Sequence, residues 1–214
     1  MRALDLFCCA GGAAMGLHRA GFEVYGCDIR PQPRYPFRFI QADALRPPFR
    51  LQDFDLIWAS PPCQAYSRSA HAERARGRVY PDLVTATREM IDASGVPWIM
   101  ENVPGAPIRA DVILDGTMFG LKVIRERWFE LGGWFTLGPT SRKRPGLLKA
   151  GYSCVVGSGR PSGMPVEANA WQTIDAVKRA MGIDWMNRRE ISQAIPPAYS
   201  QFLAERFLAW MAAA

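Results

Sequence analysis

The order of apolar and polar positions along the first half of the chain predicts a regular succession of elements. "RALDLF" (2–7) is a compact apolar run of the kind that forms a buried strand. "CCAGGAAMGLHRAGF" (8–22) follows with small residues, a helical segment and a Gly21 placed to cap it. "EVYGCDI" (23–29) reads as a second strand ending in an acid, "FRFIQADAL" (37–45) as a third ending near Asp43, and "FDLIWAS" (54–60) as a fourth. Residues 81–93 have helical spacing, and "VPWIMENV" (96–103) is a fifth strand that closes on Glu101 and Asn102. Strand and helix in alternation predict an α/β fold, a mostly parallel sheet with helices on both faces.

Beyond that the pattern loosens. "FGLKVIRERWFEL" (119–131) alternates well enough for one more strand, whereas residues 132–165 are rich in Gly, Pro and basic side chains and read as an irregular insertion. Helical spacing returns in "NAWQTIDAVKRAMG" (169–182), "NRREISQAI" (187–195) and "PPAYSQFLAERFLAWM" (196–211). In the last of these Tyr199, Phe202, Leu203, Phe207 and Trp210 form an apolar stripe that reads as core packing, with Pro197 in the first turn. The expected organisation is a core of residues 1–131, the insertion 132–165, and helices over 166–214 that pack back on the core.

Composition narrows the class. With 214 residues, 49% of them hydrophobic, the chain can build the core of one ordinary domain. No apolar run approaches the length of a membrane span and the start lacks a signal-peptide pattern, so a cytoplasmic protein without membrane association is expected. The five cysteines (Cys8, Cys9, Cys27, Cys63, Cys154) are odd in number and irregularly spaced, which argues for reduced thiols. Cys8, Cys9, His18 and Cys27 lie close together, but no C-x-x-C pair occurs and no metal site is expected. The net charge of +6 makes a polyanionic partner plausible.

Four local features bear on chemistry. In "ASPPCQAYSRS" (59–69) two prolines stiffen the backbone directly ahead of Cys63, at the point where a strand becomes a loop. That arrangement is either an aimed thiol or a buried, inert cysteine in a Pro-rich turn. The turn "DLFCCAGGAAMG" (5–16), with Asp28 ending the next strand, suits a nucleoside ligand or a tight packing turn, and the G-x-G-x-x-G spacing of nicotinamide enzymes is absent. Glu101 is a simple cap by itself but, beside a thiol from a neighbouring strand end, supports covalent chemistry on a bound electrophile. Arg125 and Arg127, two apart on an expected strand, share a face and are either solvated or hold a polar substrate edge.

Taken together these residues resemble the S-adenosylmethionine-dependent DNA cytosine-C5 methyltransferases, from Leu4 to about Phe207. "DLFCCAGGAAMGLHRAGF", "SPPCQAYS", "ENV", "RERWF" and "QAIPPAYSQF" are similar to five family motifs and stand in the family's order. The resemblance implies a Rossmann-like methyltransferase fold. It implies Cys63 as the nucleophile that adds to cytosine C6, Glu101 at ring N3, Arg127 at the O2 edge and Arg125 ordering the site. It implies S-adenosylmethionine held by Phe7, Cys9, Ala10, Gly11, Gly12, Asp28, Ile29, Asp43, Ala44, Pro61, Gln193 and Ala194. DNA, as a duplex from which the target base is flipped, would be met by Pro62, Gln64, Ser67, Arg68, Arg142, Lys143 and Arg144. The loop Gln64–Arg88, with Arg68, Arg74, Arg76 and Arg78, would close over the base.

The sequence departs from the family pattern where Cys9 replaces a glycine, where Val123 replaces the glutamine of the arginine motif, and where Ser192 and Gln193 replace Gly-Asn. The Cys9 and Gln193 changes leave open a modified methyl donor. The stretch between the arginine motif and the last motif is short for the family, so a short or relaxed target sequence and a compact, phage-like or prokaryotic monomer are expected. The rivals are a tRNA cytosine methylase, whose typical Cys-Phe-Thr tripeptide is absent, and a catalytically silent nucleic-acid-binding protein, which would have no need of Cys63.

Overall fold

The computed structural model describes residues 1–67, 70–139, 155 and 173–213. Seven strands form one sheet: β1 (Arg2–Leu6), β2 (Glu23–Asp28), β3 (Arg38–Gln41), β4 (Leu56–Ala59), β5 (Trp98–Asn102), β6 (Val112–Leu114) and β7 (Arg127–Gly132), in the order β3-β2-β1-β4-β5-β7-β6. The pairs β3-β2, β2-β1, β1-β4 and β4-β5 are parallel, and β7 runs antiparallel to both β5 and β6.

The core strands are apolar on both sides, as strands covered by helices must be. Along β4, Leu56 and Trp58 join one core while Ile57 and Ala59 join the other; Ile99 of β5 joins the first, and Trp98 and Met100 the second. The first core is closed by α1 (Gly12–Arg19) and α6 (Pro197–Ala213), the second by α3 (Val84–Ala93). Tyr199, Leu203 and Phe207 of the expected stripe are fully buried, and Phe202 and Trp210 pack against that core from its edge. Gly16 lets α1 and α6 touch: a Cβ there would lie 2.1 Å from both the Pro197 carbonyl oxygen and Ser200 Oγ. Short helices α2 (His71–Ala75), α4 (Ile174–Met181) and α5 (Arg188–Gln193) complete the described elements. Thr173 caps α4 by accepting from Ala176 N, and Asn187 with Glu190 forms a capping box on α5.

Two expectations need correction, and one strand was not expected. The helix expected from Pro81 starts at Val84, because the Asp82 side chain accepts from Val84 N at 2.9 Å and holds the residues before it in a turn. The strand expected over 119–131 begins only at Arg127: Gly116–Phe119 is a 3₁₀ turn ended by Gly120 at φ 70. The edge strand β6, three residues long, carries too short a pattern to be read. The insertion 132–165 lies outside the described residues except for 132–139 and Val155, which is buried. Among the described residues no helix is long and apolar enough to cross a membrane.

Candidate active site

In a parallel sheet, ligand sites form where strands end and loops begin, and the sequence-predicted residues gather at that edge. Between β1 and α1 the chain turns through three left-handed residues, Phe7 (φ 58), Cys9 (φ 45) and Gly11 (φ 83). Only glycine takes that conformation freely, so Cys9 stands strained where the family usually has glycine. The turn is held from behind. Asp28 Oδ2 accepts from Cys9 N at 3.0 Å, Trp185 Nε1 donates to the Ala10 carbonyl at 2.8 Å, and a Cβ on Gly11 would meet Pro36 Cδ at 3.0 Å. A Cβ on Gly12 would come within 2.7 Å of the Ile195 carbonyl oxygen. Trp185 was not singled out by the sequence; a lone indole in the short stretch "IDWMN" between two helical segments is its only trace there.

Asp28 also accepts from Arg30 N at 2.9 Å, so each of its oxygens already carries one backbone donor. Ile29 beside it is 67% exposed. Asp43 is exposed, its side chain accepting from Leu45 N, and Ala44 is buried against the second core. Gln193 is exposed at the end of α5, whereas Ala194 packs against Gly12.

The loop that carries Cys63 is fastened along its length. Ser60 N donates to the Leu6 carbonyl at 3.1 Å, and the Cys63 carbonyl accepts from Tyr66 N at 3.0 Å and Ser67 N at 2.8 Å. Arg74 donates inward to the carbonyls of Gln64 and Ser67, so it fastens the loop rather than reaching for phosphate. Arg78 is paired with Glu73, and Arg88 is spent on the buried Glu130, at 2.7 Å. Among the described residues Arg76 is the one expected lid arginine that is exposed without such a contact; Arg68, Arg142, Lys143 and Arg144 lie outside the described residues. Pro61 is buried; Pro62, Gln64 and Cys63 are half-buried, and Ser67 is buried.

Glu101 and Arg127 meet because β7 is antiparallel to β5. Glu101 is opposite Phe129, which makes Arg127 its diagonal neighbour on the same face, and Arg127 Nε lies 2.9 Å from Glu101 Oε1. Arg125 precedes the strand and does not share that face by strand alternation. It is buried, donating to the carbonyls of Val155 at 2.9 Å and Ser192 at 2.7 Å, while its own carbonyl accepts from Tyr199 Oη. Arg125 therefore ties β7 to α5 and α6. Burial pushes the Arg125 guanidinium down to about 9, with Arg127 adding to the effect.

The same crowding acts on the thiol and the acid. Burial pushes the Cys63 thiol up and Glu101 pushes it further, while Arg127 and Arg125 pull it back. Burial also pushes the Glu101 carboxyl up, against the pull of Arg127, a hydrogen bond from Ser60, and Arg125. A carboxyl that keeps its proton more readily than usual can donate to a ring nitrogen. Among the described residues Cys8, Cys9, Cys27 and Cys63 are free thiols, and no group of His, Cys, Asp and Glu could hold a metal ion.

The sequence profile of the C-5 cytosine-specific DNA methylases matches residues 1–107, which carry the β1–α1 turn, Cys63 and Glu101. The chain belongs to this family. Type II methyltransferase M.HgiDI of Herpetosiphon aurantiacus is 27% identical over 162 residues, covering 62% of this chain and 52% of that protein. The chain thus spans about half the length of this curated relative. The crystal structure of S. pombe Dnmt2 methyltransferase shares the fold, with a TM-score of 0.50 and 14% identity over 95% of this chain and 97% of that one. The family's Rossmann-like, S-adenosylmethionine-dependent methyltransferase fold is therefore the fold of this chain.

Proposed function

We propose that this chain is a DNA cytosine-C5 methyltransferase that acts through a covalent Cys63–C6 adduct. The observation that carries the proposal is the convergence on one thiol of a stiff Pro-Pro loop, a buried carboxyl and two arginines.

The residues at the β1–α1 turn fit S-adenosylmethionine. Cβ atoms on Gly11 and Gly12 would collide with the loop's own backing, the Asp28 carboxylate closes the next strand, and exposed Ile29 offers an apolar face beside it. When bound, the cofactor supplies an electrophilic methyl group. Phe7, Cys9, Ala10, Gly11 and Gly12 would cradle its methionine part. Asp28 and Ile29 would hold the nucleoside, with Asp43, Ala44, Pro61, Gln193 and Ala194 around it.

Cytosine C5 is a poor nucleophile. Cys63, as thiolate, forms a bond to C6 and pushes electron density toward C5, while Glu101 hydrogen-bonds N3 and Arg127 the O2 edge, so that charge developing on the ring is taken up. Arg125 keeps α5 and α6 in place beside the site. Once C5 is methylated, a base takes the C5 proton, the electrons of that C–H bond restore the C5–C6 double bond, and the Cys63 thiolate leaves C6. The base must leave the duplex stack to reach the site. A short target sequence, monomeric action and the cytoplasm of a prokaryotic or phage-infected cell complete the reading.

The test is nucleoside mass spectrometry after incubating the protein and Cys63→Ala with S-adenosylmethionine and duplex DNA, single-stranded DNA or tRNA. The expected result is 5-methylcytosine in duplex DNA that disappears in the variant. Product in tRNA alone would change the substrate, and product undiminished by Cys63→Ala would overturn the mechanism.

A further inference from the structure

Trp58 and Ser60 stand two residues apart along β4 and its extension, so both face the side of the sheet on which Glu101 sits two residues beyond Ile99. Trp58 is fully buried, and its Nε1 donates to Ser60 Oγ at 2.9 Å. An indole N–H can only donate, so it occupies a lone pair of the serine oxygen and leaves the hydroxyl proton to point elsewhere. Ala59 pairs with Met100, so Ser60 and Glu101 come next in register on that face, and the proton is free to turn to the Glu101 carboxyl, whose ion-pair partner is Arg127 Nε at 2.9 Å. The serine backbone is itself anchored on both sides, by Ser60 N donating to the Leu6 carbonyl and by Asn102 Nδ2 donating to the carbonyl of the following Pro61.

We propose that Ser60 is a positioning residue: locked by Trp58, its hydroxyl orients the Glu101 carboxyl toward the base edge. The inference rests on the reading of Glu101 as the group that meets cytosine N3. Two donors from different elements, one on the loop after β4 and one on β7, fix a carboxyl that either alone would leave free to rotate. The charged and titratable groups that face Glu101 are Arg127 and Arg125, the Cys63 thiol, Asp5 on β1, Cys9 in the cofactor turn and Tyr199 on α6. Ser60 is distinct among its neighbours in stabilising the ionised carboxylate without carrying charge.

The experiment compares the full chain with Ser60→Ala and Ser60→Thr in two ways. The first is kcat and KM on duplex DNA against pH. The second is an infrared carboxyl titration without substrate, in which Glu101→Gln assigns the signal. Ser60→Ala is expected to lower kcat about tenfold while KM for DNA stays within about twofold, the value of one hydrogen bond lost from the reacting geometry. It is expected to move the Glu101 titration and the matching limb of the pH profile upward, because a donor to the ionised form is gone. Ser60→Thr, which keeps the hydroxyl, restores both. If Ser60→Ala leaves the titration unmoved, Ser60 only packs and the proposal falls. If the unmodified protein makes no 5-methylcytosine, the proposed reaction fails separately, and the infrared titration still decides whether Ser60 holds Glu101.

Discussion

Asn102 Nδ2 donates to the Pro61 carbonyl at 3.1 Å, joining the end of β5 to the loop that carries Cys63. Prolines have no N–H to offer, so a Pro-Pro loop must find its partners elsewhere, and here the neighbour of the acid supplies one. The Asn102 side-chain oxygen also accepts from Val103 N, so one buried amide braces both motifs. Asn102→Ala is expected to destabilise the fold by about 2 kcal/mol, because it orphans a buried carbonyl and a buried N–H. It should also slow Cys63 adduct formation. Urea denaturation and single-turnover adduct trapping measure the two effects, and a variant as stable as the parent would show that the brace is not used.

Cys63 is restrained by the acid beside it. Burial and then Glu101 hold its thiol above the usual range. Because the thiolate is the reactive form, alkylation by iodoacetamide, followed on the Cys63 peptide by mass spectrometry, should be slower than for an ordinary cysteine at neutral pH and rise as the solution is made alkaline. Glu101→Gln removes the neighbouring negative charge and is expected to speed alkylation at fixed pH by about threefold or more. An unchanged or slower rate would break the electrostatic link between the two groups.

Cys9 lies at φ 45, a conformation that favours glycine, and keeps its backbone bond to Asp28 whatever its side chain. Cys9→Gly is therefore expected to stabilise the protein by about 0.5–1 kcal/mol, the relief of left-handed strain less the extra freedom of glycine when unfolded. Cys9→Val, β-branched, should destabilise it by about 1–2 kcal/mol. Denaturation midpoints of the two variants moving in the same direction would refute the strain.

Asp5 is fully buried on β1, and among the described residues no group lies in hydrogen-bonding geometry with either carboxylate oxygen. Burial, and next Asp28, hold its carboxyl well above 3.8. The sign follows from proton counting: above pH 3.8 the unfolded chain releases this proton while the folded chain keeps it, so stability is full below that pH and falls as pH rises toward the folded value. Asp5→Asn removes this term. Its stability relative to the parent should improve as pH is raised from about 4 to 7, read as diverging urea midpoints. Parallel midpoints across that range would contradict the assignment.

Much of this architecture was legible in the order of residues. Buried parallel strands must be apolar on both faces, and that requirement wrote β1, β2, β4 and β5 into the chain as short continuous runs with acids or a thiol at their ends. The same ends showed Cys63, Glu101 and Asp28 as the residues to watch. The turn between β1 and α1 was legible through its small residues, and α6 through its stripe.

What tertiary structure alone decided concerns partners rather than elements. Arg125 and Arg127 look equivalent two positions apart, yet the strand begins between them, so one reaches Glu101 and the other is drawn to the carbonyls of Val155 and Ser192. Arg74 reads as one of the loop's phosphate-gripping cations and is found donating to the carbonyls of Gln64 and Ser67, while Arg88, at the end of that loop, pairs with the buried Glu130. Trp185 carries no pattern at all, and the motifs that hold Ser60 and Asn102 do not show their partners: Trp185 reaches the Ala10 carbonyl, Ser60 accepts from Trp58, and Asn102 donates to the Pro61 carbonyl. Hydrophobic periodicity records which face is buried, because burial acts on every residue of an element. The destination of one polar side chain depends on where another strand ends, and only the folded sheet brings those ends together.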